Sequence, residues 1–262
     1  MNKLILTVAG LLAVTQASAG VRIETVSRDI KTQVAADAGT QVVMVQDGKM
    51  RMSNAAHGTG MILKDSVMFV VDDKRKTYSE IDKATMQKAA EQAGAMMKQM
   101  QERLKSMPPE QRAQMEKMLG ANMPGAMGGK PDTYETRDTG KSETAEGRKC
   151  RVWNLLKNGV LHEELCVVPY SSLPGKEDFE KAFRELAEAA IAMAGNLPGA
   201  SASIEARKAV NGFPVRVRYF DGAGKLRGNE TVLTQWVEES LPGSTFEIPA
   251  GYTKKELPTL GR

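Results

Sequence analysis

The sequence predicts an α+β protein built on one large, curved antiparallel β-sheet. We expect a half-open barrel of roughly ten strands with two or three helices on its concave face. Many short, strand-like segments are separated by turn dipeptides such as Asp47-Gly48 and Asn211-Gly212. Several segments alternate apolar and polar residues, which is typical of an antiparallel sheet covered on one side only. Longer stretches with a 3.6-residue apolar period supply the cover.

The strands are predicted from alternation and from the turns that bound them. The first six lie before residue 82, and the others follow a long interruption in the strand pattern. Residues 204–210 and 213–220, joined by Asn211-Gly212, are expected to form a hairpin. The predicted strand segments are residues 21–30, 40–46, 49–53, 60–64, 67–72, 76–81, 150–156, 160–166, 204–210, 213–220, 230–238 and 245–248.

Two long helices are predicted between these strands. Residues 176–194 carry an apolar stripe that includes Phe179 and Phe183. Residues 82–107 carry a stripe rich in methionine and alanine, which Pro108-Pro109 ends. A third, short helix is expected over residues 109–119. Residues 120–147 are polar and rich in glycine, and we expect them to form a connection without regular structure.

The two cysteines flank a predicted hairpin. A three-residue loop, 157–159, places Leu156 opposite Val160 and Cys150 opposite Cys166. Opposed strand residues lie within the distance that a disulfide requires, so an oxidising compartment predicts a Cys150–Cys166 bond. We expect one apolar hairpin face, and a polar face that also holds the cysteines. The expected apolar residues are Trp153, Leu155, Leu161, Leu165 and Val167.

The first 19 residues resemble a secretory signal peptide. Lys3 precedes an apolar run at residues 4–14, and Ala17-Ser18-Ala19 gives the small-x-small cleavage pattern. The run is too short to span a bilayer, and no later run reaches the length of a membrane span. We therefore expect a soluble protein exported to a bacterial periplasm, with residues 20–262 forming one domain.

Composition excludes several classes of function. A formal charge of +4 over 262 residues is too small for a dedicated nucleic-acid binder. Two histidines leave little room for a histidine-rich metal site or a Ser-His-Asp enzyme. No catalytic arrangement and no cofactor motif is recognisable, so we expect a non-enzymatic protein with no cofactor.

The segment of residues 86–127 holds nine of the sixteen methionines. Three interpretations remain open: core packing, an adaptable surface for hydrophobic ligands, and a soft-metal site, since thioethers bind Cu(I). The candidate residues for a hydrophobic or acylated ligand are Met86, Met96, Met97, Met100, Trp153, Phe179 and Phe183. The metal alternative uses Met96, Met97, Met100, Met115 and Met118.

Three segments carry a resemblance to a known group. Residues 46–52 (QDGKMRM), 76–81 (KTYSEI) and 246–252 (FEIPAGY) resemble secreted bacterial proteins of an uncharacterised-domain family. That family is similar to the lipoprotein-carrier (LolA/LolB-like) superfamily. The resemblance implies a half-open antiparallel barrel with helices in its concave side, and carriage of lipid or acylated protein. The methionine-rich segment, about residues 82–132, is then a helical insertion in the LolA-like domain.

The expected function is therefore binding or carriage of a hydrophobic ligand in the periplasm. The first alternative is copper binding through the methionine-rich helix. The second is an envelope structural or stress protein that binds other proteins. The sequence does not define an oligomeric state.

Overall fold

The computed structural model describes residues 19–111, 132–194 and 201–256. Within these residues, twelve strands form one sheet in the order β12-β6-β5-β4-β3-β2-β1-β11-β10-β9-β8-β7. The strands are Gly20–Asp29 (β1), Ala35–Gln46 (β2), Lys49–Asn54 (β3), Thr59–Lys64 (β4), Val67–Asp72 (β5), Thr77–Ile81 (β6), Tyr134–Ala145 (β7), Arg148–Lys157 (β8), Val160–Val168 (β9), Phe213–Phe220 (β10), Leu226–Glu239 (β11) and Thr253–Lys254 (β12).

The sheet consists of two antiparallel meanders, β1–β6 and β7–β11, joined where β1 pairs with β11. Its edge strands, β12 and β7, do not pair with each other within the described residues, so the sheet is open there. Among the described strands, only β12 runs parallel to its neighbour, β6. The prediction of a large, unclosed antiparallel sheet is confirmed, and it has more strands than we expected.

Two helices cover one face of the sheet, which we call the helix-covered face. Helix α1 is Lys83–Ser106 and helix α2 is Lys176–Ala194. Helix α1 begins at Asp82, whose carboxylate accepts a hydrogen bond from the backbone N–H of Thr85 at 2.7 Å. Such a cap satisfies one of the free N–H groups of the first turn. The predicted third helix lies mostly in residues 112–119, outside the described residues.

The main core lies between α2 and the helix-covered face. Strands β1, β2, β3, β4, β8, β9, β10 and β11 all contribute buried side chains to it. A smaller cluster of Met68, Ile81 and Met86 joins the start of α1 to β5 and β6. Apolar burial of this extent is the main favourable contribution to folding.

A third helix packs on the opposite face, where the sequence predicted a strand. Residues 202–208 form a short helix, α3 (Ala202–Lys208), and so the strand prediction for residues 204–210 is wrong. Arg207 of α3 donates to both carboxylate oxygens of Glu163 on β9, each at 2.6 Å. A small apolar cluster lies beneath α3, comprising Leu165, Val167 and Val210 with Trp153 and Val217 packed against them.

Both faces of the cysteine hairpin are therefore covered, which corrects the expected division into one apolar and one polar face. The face with Trp153 and Leu165 lies towards α3. The face that we predicted to be polar, with Val152 and the two cysteines, faces the main core.

Strand β7 occupies a segment predicted to have no regular structure. It spans twelve residues, Tyr134–Ala145, and pairs with β8 along most of its length, with a register shift between Asp138 and Ser142. The prediction for residues 120–147 is wrong there, while residues 120–131 lie outside the described residues. An edge strand that is charged and irregular resists pairing with another chain.

The C-terminal segment crosses the other face of the first meander. Residues 243–246 form a 3₁₀ turn against β3 and β4, where Phe246 is buried, so the strand predicted at residues 245–248 is wrong. The segment then adds β12 to the edge of β6.

Candidate functional site

The disulfide predicted from the sequence is present. Cys150 and Cys166 are bonded and buried, with their Cα atoms 5.3 Å apart. The hairpin turn contains two residues, Asn158 and Gly159, both at positive φ, rather than three. Lys157 therefore pairs with Val160, and a register shift then places Val152, not Cys150, opposite Cys166. The predicted bond is confirmed, and the predicted register is wrong.

An aromatic cluster lies over the main core, formed by Tyr170, Phe179, Phe183, Phe213 and Trp236. Phe179 of α2 is buried and lies 5.1 Å from the ring of Trp236 and 5.5 Å from that of Phe213. The indole N–H of Trp236 donates to the carbonyl of Pro174 at 2.9 Å. Burial raises the pKa of Tyr170, and the charge of Glu180 adds to the shift. The cluster is thus a tight apolar centre in which the indole N–H is hydrogen-bonded.

Phe183 extends this cluster to the surface. Its ring stacks on that of Phe179 at 5.6 Å between centroids, and yet Phe183 is 49% exposed. An exposed aromatic ring stacked on a buried one offers a hydrophobic ligand a surface that continues into the core.

The candidate methionines occupy different environments along α1. Met86 is buried in the cluster with Met68 and Ile81, which is a packing role. Met96 is 54% exposed, and Met100 is half-buried. The side chain of Met97 and the whole of Met115 and Met118 lie outside the described residues. Since α1 contacts α2, Met96 and Phe183 belong to the same two-helix layer.

The structure does not bring Trp153 to the other candidates. Adjacent residues of a strand point to opposite faces. Val152 lies in the main core with Phe179, and Trp153 lies in the cluster under α3. Trp153 is thus removed from the set of residues that could contact one ligand on the helix-covered face.

A network of charged residues across β1, β11, β10 and β9 was not predicted. We call it the arginine–glutamate network. Four of its members stand opposite one another across β1, β11, β10 and β9 with alternating charge: Arg28, Glu230, Arg218 and Glu164. Three further members, Arg216, Glu143 and Glu146, join them through ion pairs.

Glu230 is the centre of this network. Its side chain is 3% exposed and accepts hydrogen bonds from Arg28 at 3.0 Å and from Arg218 at 3.1 Å. Burial alone would raise the pKa of the Glu230 carboxyl. The hydrogen bonds from Arg28 and Arg218 outweigh burial and hold that pKa below its usual value of 4.5. Glu230 is therefore ionised and paired at neutral pH.

Arg216 lies between the network and the disulfide. It stands opposite Cys166, is buried, and ion-pairs with Glu143 and with Glu164. Its Nε lies 4.0 Å from Glu230 and has no hydrogen-bond acceptor among the described residues. Its charge is compensated by three carboxylates rather than by one ideal pair.

The ion pair between Arg28 and Glu146 shows how strongly the sheet curls. Glu146 lies in the turn between β7 and β8, and three strands separate β8 from β1. In a flat sheet β1 and β8 would lie about 19 Å apart, at about 4.8 Å per strand. The Arg28 Nη2 atom nevertheless lies 2.6 Å from Glu146 Oε1. The curl of the sheet therefore brings the β7–β8 turn to β1, where an ion pair fastens it.

The network has a structural rather than a catalytic composition. Each arginine is held by carboxylates, and each carboxylate has an arginine partner. Alternating cross-strand pairs fix register. The sequence contained one signal for it, the alternation of Val215 and Val217 with Arg216 and Arg218. That signal indicates a polar face but does not name the partner strand.

No three His, Cys, Asp or Glu side chains are grouped as metal ligands among residues 19–111, 132–194 and 201–256. In the same ranges, no helix has the length and apolar character needed to cross a bilayer.

The segments that carry the resemblance meet in the structure. Arg51, in the first segment, donates to the carbonyl of Thr245 at 3.1 Å, just before the third segment. The Tyr252 hydroxyl donates to Asp73 at 2.8 Å, and Thr253 then pairs with Thr77 in the second segment. The three segments thus fasten the C-terminal part of the chain across the first meander.

Comparison with protein families identifies the chain's relatives. Residues 82–252 match the family described as "Domain of unknown function (DUF4412)". The chain belongs to this family. The matched region runs from the N-cap of α1 to the residue before β12, so the methionine-rich segment lies inside it. No curated protein matches the chain.

Solved structures share low sequence identity with the chain. An uncharacterised conserved protein from Thermus thermophilus has 7% identity and a TM-score of 0.44, over 92% of this chain and 91% of that one. Two crystal forms of PNGF-II also have 7% identity. In space group P21 the TM-score is 0.37, over 92% of this chain and 32% of PNGF-II. In space group C2 the TM-score is 0.39, over 93% and 32%.

Proposed function

We propose that this protein is exported to a bacterial periplasm, where it binds or carries a lipid, an acylated protein or another hydrophobic ligand without catalysing a reaction. Residues 1–19 serve as the signal peptide in this proposal. A LolA-like carrier function, implied by the resemblance of residues 46–52, 76–81 and 246–252, belongs to the same proposal.

The single observation that supports the proposal best is the half-exposed ring of Phe183 on the aromatic cluster. Phe183 leaves about half of its surface in water although it stacks on the buried Phe179. A ligand that covered this ring would remove apolar area from water without any further folding of the chain. Met96 on the neighbouring helix is exposed as well. A flexible thioether adapts to ligands of different shape.

The mechanism is passive transfer from water to an apolar surface. An acyl chain that lies along the α1–α2 layer gains about 0.8 kcal/mol for each buried CH₂ group. The arginine–glutamate network keeps the sheet curled beneath, so that the apolar surface is held in one shape.

A fluorescent fatty acid tests the proposal. We expect its emission to rise on mixing with the mature protein. We expect Phe183→Ser to weaken binding, because the variant removes the exposed ring and leaves Phe179 in place. Val160→Ser is the matched control, since Val160 is an exposed apolar residue on β9, away from the aromatic cluster. A probe that stays in water with the wild-type protein, or equal binding by both variants, would contradict the proposal.

One specific observation also favours the copper alternative. Met96 is exposed, and Met100, one helical turn further along α1, is half-buried. Two thioethers at this spacing suit a soft metal ion. Titration of Cu(I) against a chelator separates the two functions. Met96→Leu/Met100→Leu keeps an apolar surface and removes both sulfurs, so copper binding would be lost and fatty-acid binding retained.

A further inference from the structure

Five turns lie at the same end of the sheet. They join β1 to β2, β3 to β4, β5 to β6, β8 to β9 and β10 to β11, and antiparallel pairing from β6 to β8 places all five at one end. We call this set the turn rim: residues 30–34, 55–58, 73–76, 158–160 and 221–227.

Contacts connect the turns of the rim in two groups. The N–H of Ile30 donates to the carbonyl of Gly228 at 2.8 Å, which ties the first turn to β11. A methyl group added at Gly224 would lie 3.4 Å from Val160, so the fourth and fifth turns are neighbours. Lys74 donates to the carbonyl of Ala56 at 3.4 Å, which joins the second and third turns. The first, fourth and fifth turns are therefore linked to one another, and so are the second and third.

The rim exposes aliphatic side chains. Val34 is 65% exposed, Leu226 44% and Val160 39%. These are three of the six large apolar residues that are exposed among the residues described by the structure. Each lies in or beside a different turn, which would leave isolated apolar groups in water if nothing covered the rim.

Basic side chains surround these aliphatic residues. Six are exposed: Lys31, Lys74, Arg75, Lys76, Lys225 and Arg227. The ion pair of Lys157 with Asp132 lies beside the fourth turn and adds no net charge.

The acidic residues in and beside the rim all accept hydrogen bonds. Asp29 accepts hydrogen bonds from the N–H groups of Lys31 and Thr32, and Asp221 accepts from those of Ala223 and Lys225. Backbone hydrogen bonds in these two turns lower the pKa of both carboxyls. Asp72 accepts from the Arg75 N–H, and Asp73 from the Tyr252 hydroxyl. Within the rim, six basic residues stand against two acidic ones, Asp73 and Asp221, so the rim is positive; Asp29 and Asp72 lie on the strands beside it.

We propose that the turn rim docks on a bilayer that contains anionic phospholipids. Exposed aliphatic residues enter the boundary between head groups and acyl chains, while lysine and arginine side chains pair with the phosphates. This proposal goes beyond the proposed function and does not depend on it, because the rim lies on turns and the aromatic cluster on α2. The two surfaces are separable by mutation.

Vesicle co-sedimentation of the mature protein tests the proposal. We expect binding to vesicles of phosphatidylglycerol and phosphatidylcholine, weak binding to phosphatidylcholine alone, and loss of binding at high salt. Lys31→Gln/Lys225→Gln removes two rim charges, each worth about fivefold in partition, so binding should fall about 25-fold. The matched control is Lys141→Gln/Lys149→Gln, which removes two exposed charges from β7 and β8 outside the rim.

The aliphatic contribution is tested separately with Val34→Ser/Leu226→Ser, for which Val70→Ser on β5 is the control. We expect the rim variant to lose binding to the anionic vesicles and Val70→Ser to retain it. Equal losses in the rim and control variants would overturn the proposal. Failure of the wild-type protein to bind either kind of vesicle would also overturn it and would favour a protein partner for the rim.

Discussion

Replacing Glu230 with glutamine tests whether the arginine–glutamate network holds the curled sheet together. Glu230→Gln keeps the size and shape of the side chain and removes its charge. Arg28 and Arg218 lose the carboxylate to which both donate, and Arg216 loses its nearest compensation at Nε, 4.0 Å away. The variant therefore leaves buried positive charge without its central partner.

The expected loss of unfolding free energy follows from the burial of Glu230 and from the carboxylates that its arginine partners keep. Removing one partner from a buried ion pair costs about 3–5 kcal/mol of unfolding free energy. Arg28 keeps Glu146, and Arg218 keeps Glu164, so the lower end of that range applies. We expect a loss of about 3 kcal/mol. In a protein of this size that corresponds to a fall in Tm of about 6–12 °C.

Urea and thermal unfolding of Glu230→Gln measure this loss, with Glu188→Gln as the control. Glu188 is exposed on α2, and such a substitution changes stability by about 0.5 kcal/mol or less. A double variant, Arg28→Met/Glu230→Gln, should lose less than the two single variants added together, because the residues contact each other. A loss under about 1 kcal/mol for Glu230→Gln would refute the assignment of the network as the fastening of the sheet.

Two further predictions concern the same part of the fold. The free energy of unfolding should fall in acid. Folding lowers the pKa of Glu230 below its unfolded value of 4.5. The stabilisation by Glu230 is therefore complete above pH 4.5 and is lost as the pH falls through the folded pKa. Wild-type protein should therefore lose more stability than Glu230→Gln between neutral pH and pH values below 4.5 in urea titrations; parallel curves would contradict this. Cys150→Ala/Cys166→Ala should lower the unfolding free energy by about 3 kcal/mol, as expected for a loop of this length. An unchanged urea midpoint would show that the disulfide adds nothing.

Local pattern predicted most of the first meander and the paired strands near the disulfide. Strands β5 and β10 have the predicted bounds, because a continuous apolar run in β5 and an alternating pattern in β10 lie between clear turn residues. The disulfide was predicted although the register was not, since both registers bring the cysteines to one face. The two-residue turn at Asn158-Gly159 and the register shift between Leu155 and Leu156 each moved the register by one residue.

Two elements were missed for opposite reasons. Strand β7 contains charged and hydroxyl residues with Gly140 among them, so nothing apolar marked it as a strand. Its position at the edge of the sheet explains that composition. Residues 204–210 were predicted as a strand from a weak alternation of apolar and polar residues. Ala206, Arg207 and Lys208 instead favour a helix, which is the observed α3.

The candidate site was predicted only in part. The sequence identified Phe179 and Phe183 as members of one helical stripe, but spacing could not show that Phe183 stays half-exposed. We predicted that Trp153 joins them, because alternation cannot show which face of a hairpin lies in the main core when both faces are covered. The arginine–glutamate network joins residues more than a hundred positions apart, such as Arg28 and Glu146, and so depends on strand order.

Native mass spectrometry of the mature protein, isolated without detergent, tests the central claim most directly. We expect a mass excess equal to a lipid or an acylated peptide, and a marked loss of that excess in Phe183→Ser. A mass equal to the bare chain with its disulfide, from protein isolated under the same conditions, would contradict the binding of a hydrophobic ligand.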